Sequence, residues 1–150
     1  MLDARHINPH LYRFKHKYED ATTARQLFNR GDFIFSYDLK SAYNNLKIVH
    51  ADRTYLGFQW ENQYYVYNVL PFGLATIGYV FSKVMREIFK YWRGQGLKII
   101  MYLDDGLGGG ASYEDALISS KVIQNDIDDL LVFLGIAHEK CNWIPTHKLE

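Results

Sequence analysis

Lys98-Ile99-Ile100-Met101-Tyr102-Leu103-Asp104-Asp105-Gly106-Leu107-Gly108-Gly109-Gly110 is the stretch on which the reading of the fold turns. Its first half, Lys98 to Leu103, is a short apolar run, the profile of a strand buried on both faces. It delivers two adjacent carboxylates, Asp104 and Asp105, and then a glycine-rich segment, Gly106 to Gly110, that reads as a turn. A buried strand that ends in paired acids carries charge to the rim of a sheet.

A second run of this kind, Phe33-Ile34-Phe35-Ser36-Tyr37, ends in Asp38. If the two strands are neighbours, Asp38, Asp104 and Asp105 converge at one rim, where repulsion and lost solvation penalise unpaired carboxylates. A divalent cation relieves both penalties. Oxygen-only ligands favour Mg²⁺ or Mn²⁺, and Mg²⁺ is typically shared with water and substrate phosphates. Neighbouring residues on a strand point to opposite faces, so Asp104 and Asp105 reach one metal only from a tight turn. Taken singly, an Asp-Asp pair before glycines is more often an ordinary surface turn.

Thr54 to Trp60 and Gln63 to Tyr67 read as a hairpin turning at Glu61-Asn62. Val69-Leu70-Pro71-Phe72-Gly73 then breaks the strand. From Ile77, apolar residues at Val80, Phe81, Val84, Met85, Ile88, Phe89 and Trp92 predict an amphipathic helix stopping near Gly94. Ser112 with Asp115 resembles a capping box. The helix it opens carries Ile123, Ile127, Leu130, Leu131 and Leu134 in one stripe and ends by Gly135. A last strand is expected over Ala137 to Trp143. The order strand, hairpin, helix, strand, helix, strand predicts an α+β fold, a mostly antiparallel sheet with helices on one face.

The chain has 150 residues, with no repeat or Pro-rich linker, and is expected to form one domain. Its 17 basic and 17 acidic residues balance, so net charge does not announce a nucleic-acid binder. Residues 1–30 nevertheless hold six Lys and Arg against three Asp and Glu, an excess that a solvated surface also shows. The single Cys141 excludes an internal disulfide and a Cys-based zinc cluster, and reads as a small packed side chain. No stretch approaches the roughly 20 apolar residues of a membrane span, and no signal peptide, EF-hand loop or P-loop is present.

Three segments carry a resemblance to reverse transcriptases. Phe35-Ser36-Tyr37-Asp38-Leu39-Lys40-Ser41-Ala42-Tyr43 is similar to the first palm motif of that family, Leu70-Pro71-Phe72-Gly73-Leu74 to the second, and Tyr102-Leu103-Asp104-Asp105 to its YxDD signature. The Asp-Leu-Lys-Ser-Ala-Tyr wording, the aromatic hairpin and Tyr91-Trp92-Arg93 resemble retrotransposon enzymes, the DIRS group in particular.

The resemblance implies a polymerase palm with part of the fingers. Residues 1–32 would belong to the fingers and 33–150 mainly to the palm, with thumb and RNase H lying outside the chain. It implies an RNA-directed DNA polymerase that adds dNTPs to a primer 3′-hydroxyl on a primed RNA or DNA template, as part of a retroelement polyprotein. Such a protein would be cytoplasmic or nuclear, without a membrane partner. Asp38, Asp104 and Asp105 would be catalytic acids and ligands of two Mg²⁺ ions. Lys140 would assist pyrophosphate departure. Arg5, in Leu2-Asp3-Ala4-Arg5-His6-Ile7-Asn8, would contact the triphosphate, and Leu39, Tyr43, Phe72 and Gly73 would line the substrate, Tyr43 as a steric gate. Each also has an ordinary alternative: a surface arginine, a packing tyrosine, a Pro-Phe-Gly turn, an exposed lysine. At Gly78 relatives commonly carry proline, which predicts a looser helix start. The competing expectation is an inactive retroelement remnant that binds metal or nucleic acid weakly.

Overall fold

A computed structural model describes residues 3–40, 42–129 and 136–147. In chain order it contains α1 (Ala21–Leu27), β1 (Phe33–Asp38), β2 (Gly57–Trp60), β3 (Gln63–Val66), α2 (Ile77–Gly94), β4 (Lys98–Tyr102), β5 (Asp105–Gly110), α3 (Tyr113–Asp129) and β6 (Asn142–Thr146), with short 3₁₀ turns between them. Four strands form an antiparallel sheet in the order β4-β5-β1-β6, and β2-β3 stand apart as a hairpin. This is the expected α+β architecture. No helix among the described residues is long and apolar enough to cross a membrane.

The glycine-rich run departs from its reading as a turn: it is the central strand β5. Side chains on the neighbouring strand explain this. Gly108 pairs with Phe35 and Gly106 with Tyr37, and a Cβ on either glycine would overlap the facing ring. The aromatic side chains of β1 therefore lie across β5 and occupy the volume that β5 leaves empty. Phe35 and Tyr37 are buried to 0% and 2% exposure by this arrangement.

On the same face, α2 contributes Phe81, Met85, Phe89 and Trp92, α3 contributes Ile123 and Ile127, and β4 contributes Ile99 and Met101 to one core. The two helices are tied together by Trp92, whose Nε1 donates to Asp126 Oδ2 at 2.8 Å. Ser112 and Asp115 form the expected capping box, with Asp115 N–H donating to Ser112 Oγ at 3.1 Å. Leu130, Leu131, Leu134 and Gly135, the end of the predicted stripe, lie outside the described residues, as do Leu2 and Ser41.

Tyr37 Oη and Trp143 Nε1 are buried without a hydrogen-bond partner among the described residues, and their rings stack at 5.5 Å. An unsatisfied buried hydroxyl costs about 1–3 kcal/mol. Tyr37→Phe keeps the ring and deletes the hydroxyl, so it is expected to raise stability by about 1 kcal/mol in urea unfolding.

Other expectations shift in detail. The hairpin turns at Glu61-Asn62 as predicted, both residues having positive φ (47° and 62°), the signature of a type I′ turn. Its first strand is shorter, because Thr54 to Leu56 belong to a 3₁₀ helix. The last strand starts at Asn142 rather than Ala137, after a 3₁₀ turn over His138–Lys140, and continues through Pro145. An edge strand with one partner tolerates that proline. Helix α1 had no hydropathy signal because it buries no residue; its start is held by Asp20, whose side chain accepts from the N–H groups of Thr22 and Thr23.

Candidate active site

Strands β4 and β5 are joined by a two-residue hairpin loop, Leu103-Asp104, with Tyr102 paired directly opposite Asp105. Leu103 adopts φ 59°, a left-handed conformation uncommon for leucine and often found where function dictates the backbone. Thus the acids do sit at a tight turn, but the turn lies before the glycines. The strands carrying Asp38 and Asp104 are not neighbours either, since β5 runs between them. Convergence comes instead from Asp105, the first residue of β5, which pairs directly with Asp38, the last of β1. The Leu39 N–H donates to the Asp104 carbonyl at 2.9 Å, stitching the turn to the end of β1.

Burial pushes the Asp105 carboxyl above the usual range, and the charges of Asp104 and Asp38 and a side-chain hydrogen bond with Asp38 add to the effect. A carboxyl so placed gains from any cation brought among the three acids. Lys140 supplies one: its Nζ lies 3.2 Å from Asp38 Oδ2. That hydrogen bond, with the Asp38 charge, raises the ammonium's pKa and keeps it protonated.

Behind the carboxylate, Cys141 anchors the Asp38 backbone. The Asp38 N–H donates to Cys141 Sγ at 3.3 Å, and the Asp38 carbonyl accepts from Ala137 N–H at 3.0 Å. Burial pushes the thiol's pKa up, the direction of a packed rather than a reactive cysteine.

The donor chemistry at this rim fits Mg²⁺ or Mn²⁺, because every candidate ligand is a carboxylate oxygen. The geometry fits in part. Asp38 and Asp105 are cross-strand partners with Asp104 at the adjoining turn, yet among the described residues no three acidic, His or Cys side chains already form a ready-made metal cluster. The electrostatic coupling of the acids and the lack of a closed cluster describe different things. Coupling acts across several ångströms, whereas ligation needs oxygens about 2 Å from one point.

Tyr43 stands close enough for the charge of Asp104 to act on it, and burial first, then the nearby Tyr18 and Asp104, push its phenol up to about 12. Its ring is held by Phe72 and Phe81 at centroid distances of 5.3 and 4.8 Å. Phe72 is 47% exposed and offers a free aromatic edge beside Tyr43. Gly73 has φ 103°, where any other residue is strained. The structure gives Leu39 a supporting place, its side chain buried in the core.

Arg5 is not joined to the acids by any contact among the described residues. Its guanidinium grips Asp3 in a bidentate pair at 2.6–3.1 Å on the surface, and this hydrogen bonding lowers the Asp3 carboxyl to about 2. The same segment holds a residue that sequence reasoning passed over. Asn8 Nδ2 donates to the Gly73 carbonyl and Asn8 Oδ1 accepts from Ala75 N–H, both at 2.8 Å. Asn8 thereby clamps the Pro-Phe-Gly turn, through backbone groups that no local pattern advertises.

The chain is 29% identical over 114 residues to the enzymatic polyproteins of cauliflower mosaic virus strains D/H and Strasbourg, an alignment that covers 75% of the chain and 14% of each polyprotein. Among solved structures, it superimposes with a TM-score of 0.74 and 17% identity on a foamy viral protease-reverse transcriptase in complex with an RNA/DNA hybrid, over 95% of this chain and 19% of that one. The family model for reverse transcriptase (RNA-dependent DNA polymerase) matches residues 2–149, and the chain belongs to that family.

Proposed function

We propose that this chain is the palm, with part of the fingers, of an RNA-directed DNA polymerase that adds dNTPs to a primer 3′-hydroxyl. The observation that carries the reading is the pairing of Asp38 with Asp105 beside the strained Leu103-Asp104 turn. In this reading residues 1–32 belong to the fingers and 33–150 mainly to the palm.

Asp38, Asp104 and Asp105 would hold two Mg²⁺ ions, with Mn²⁺ an alternative, which when bound supply neutralisation of phosphate charge and a more acidic attacking hydroxyl. The chain's own residues orient and discriminate. Lys140, whose Nζ is held protonated by its hydrogen bond to Asp38, would be the residue that gives a proton to the departing pyrophosphate. Tyr43, buried and wedged by Phe72 and Phe81, presents a fixed edge against a 2′-hydroxyl. Phe72 and Gly73 give the nucleotide a ring to lie on and a backbone to approach. Arg5 serves the triphosphate by exchanging Asp3 for phosphate, since both offer its planar fork paired oxygens.

The partners are a primed RNA or DNA template, dNTPs and further domains of a retroelement polyprotein. Support comes from the polyprotein relatives and the hybrid-bound viral structure. The DIRS-group wording of residues 38–43 and 91–93 points to a retrotransposon source, and hence to a cytoplasmic or nuclear setting.

The test is primer extension by this chain on poly(rA)/oligo(dT) with Mg²⁺, run beside the same chain fused to a reverse transcriptase thumb. Incorporation in either form supports the reading; none in both overturns it. In the active form, Tyr43→Ala is expected to erode discrimination against ribonucleotides by about a hundredfold, measured as the ratio of dNTP to rNTP kcat/KM. An unchanged ratio would remove Tyr43 from the gate.

A further inference from the structure

The extended segment before α1 runs along the outer edge of β4, against α2, and is fastened beside the candidate site. Glu19 takes the Arg93 guanidinium at 2.8 Å and the Met101 N–H at 3.4 Å, fastening the segment to both α2 and β4. Immediately before Glu19 stands Tyr18. Its hydroxyl fills the space directly over Gly78, in the first turn of α2, where a Cβ would overlap it. Its ring meets Tyr102 edge-on with centroids 5.7 Å apart. Tyr102 is the last residue of β4 and the cross-strand partner of Asp105. One ring thus touches the start of α2 and the strand end from which the acidic turn departs.

We propose that Tyr18 is a positioning residue: seated in the gap that Gly78 leaves, it braces Tyr102 and so sets the placement of the Leu103-Asp104 turn and Asp105. The proposal deepens the polymerase reading, since a brace on this turn sets the spacing of the acids. It accounts for two otherwise unconnected features. Gly78, which lacks the stiffness expected at a helix start, is buried, and its missing side chain is the socket for Tyr18. The leucine in left-handed conformation at position 103 adjoins a residue held from the side, which supplies outside support for a costly backbone state.

The test is a pair of substitutions read by amide chemical shifts and thermal unfolding of the whole chain. Helix propensity alone favours alanine over glycine, so a net loss in Gly78→Ala reports the overlap with Tyr18. It is expected to lower the melting temperature by about 3–6 °C and to shift the amides of Tyr102 to Asp105. Tyr18→Phe removes the overlapping oxygen. The atoms that then stand nearest the new methyl are His16 Nε2 at 3.1 Å and Cζ of the residue 18 ring at 3.3 Å. In that background Gly78→Ala should be largely tolerated, with the Tyr102–Asp105 amides back near their parental positions. Tyr18→Ala, which removes the brace, should shift and broaden those amides by itself. The proposal is overturned if Gly78→Ala perturbs only its own helix turn, if Tyr18→Phe fails to suppress it, or if Tyr18→Ala leaves the four amides in place. None of these readouts requires catalysis. Coupled amides in a chain inactive with and without a thumb would sink the polymerase reading alone, and uncoupled amides in an active chain would sink the brace alone.

Discussion

Asp104→Asn is expected to reduce nucleotide incorporation by about a hundredfold to a thousandfold while leaving the thermal midpoint unchanged or slightly raised. The two effects have opposite signs for one reason. Asparagine matches aspartate in shape but brings no negative charge, and a preorganised charge at a reacting centre contributes on the order of 10²–10³ in rate. In the folded chain that same charge is a burden, because it is among the causes that raise the Asp105 carboxyl. Removing it relieves repulsion in the fold and takes from the site one of the carboxylates proposed to hold metal. Single-turnover incorporation and thermal unfolding on the same preparation check both halves. Incorporation within tenfold of the parent would take Asp104 out of the chemistry, and a sharply lowered midpoint would mark it as a structural residue.

The second large effect is structural. Gly106→Ala is expected to cost about 3 kcal/mol, at the upper end of the usual range for overpacking. The added methyl falls among the Cζ, Cε1 and Cε2 atoms of the Tyr37 ring. That ring is 2% exposed and stacked on Trp143, so it has nowhere to turn. Urea unfolding against Gly94→Ala provides the comparison, since Gly94 has open space around it and its substitution should be neutral or stabilising. A parental midpoint for Gly106→Ala would mean that the Tyr37 and Trp143 rings slide together to admit the methyl.

Much of this fold was legible where a local pattern has one meaning. The 3.6-residue spacing from Ile77 to Trp92 matched α2, and the turn at Glu61-Asn62 was recognisable because Asn62 tolerates the left-handed backbone a hairpin turn needs. What escaped was structure whose cause lies on another strand. Gly106 to Gly110 read as a turn because glycine usually interrupts strands, and the correcting signal sat in β1, where Phe33, Phe35 and Tyr37 alternate along the strand paired with them. Pro145 and the 3₁₀ turn before it similarly hid the true limits of β6. At the site, acids at strand tips were readable because charge at the end of a buried run demands an explanation. Asn8, Tyr18, Glu19 and Cys141 were not, since each works through a backbone group or a gap contributed by a residue far along the chain.

The strand order β4-β5-β1-β6 also governs when the site comes into being during folding. The β4-β5 hairpin closes through a two-residue loop and can form early, as a local event. Asp38 belongs to a strand made much earlier in synthesis, which meets Asp105 only when β1 inserts beside β5. A nascent or half-folded chain therefore carries all three acids without their convergence, and acquires a polymerase-like rim only in the non-local step that completes the sheet.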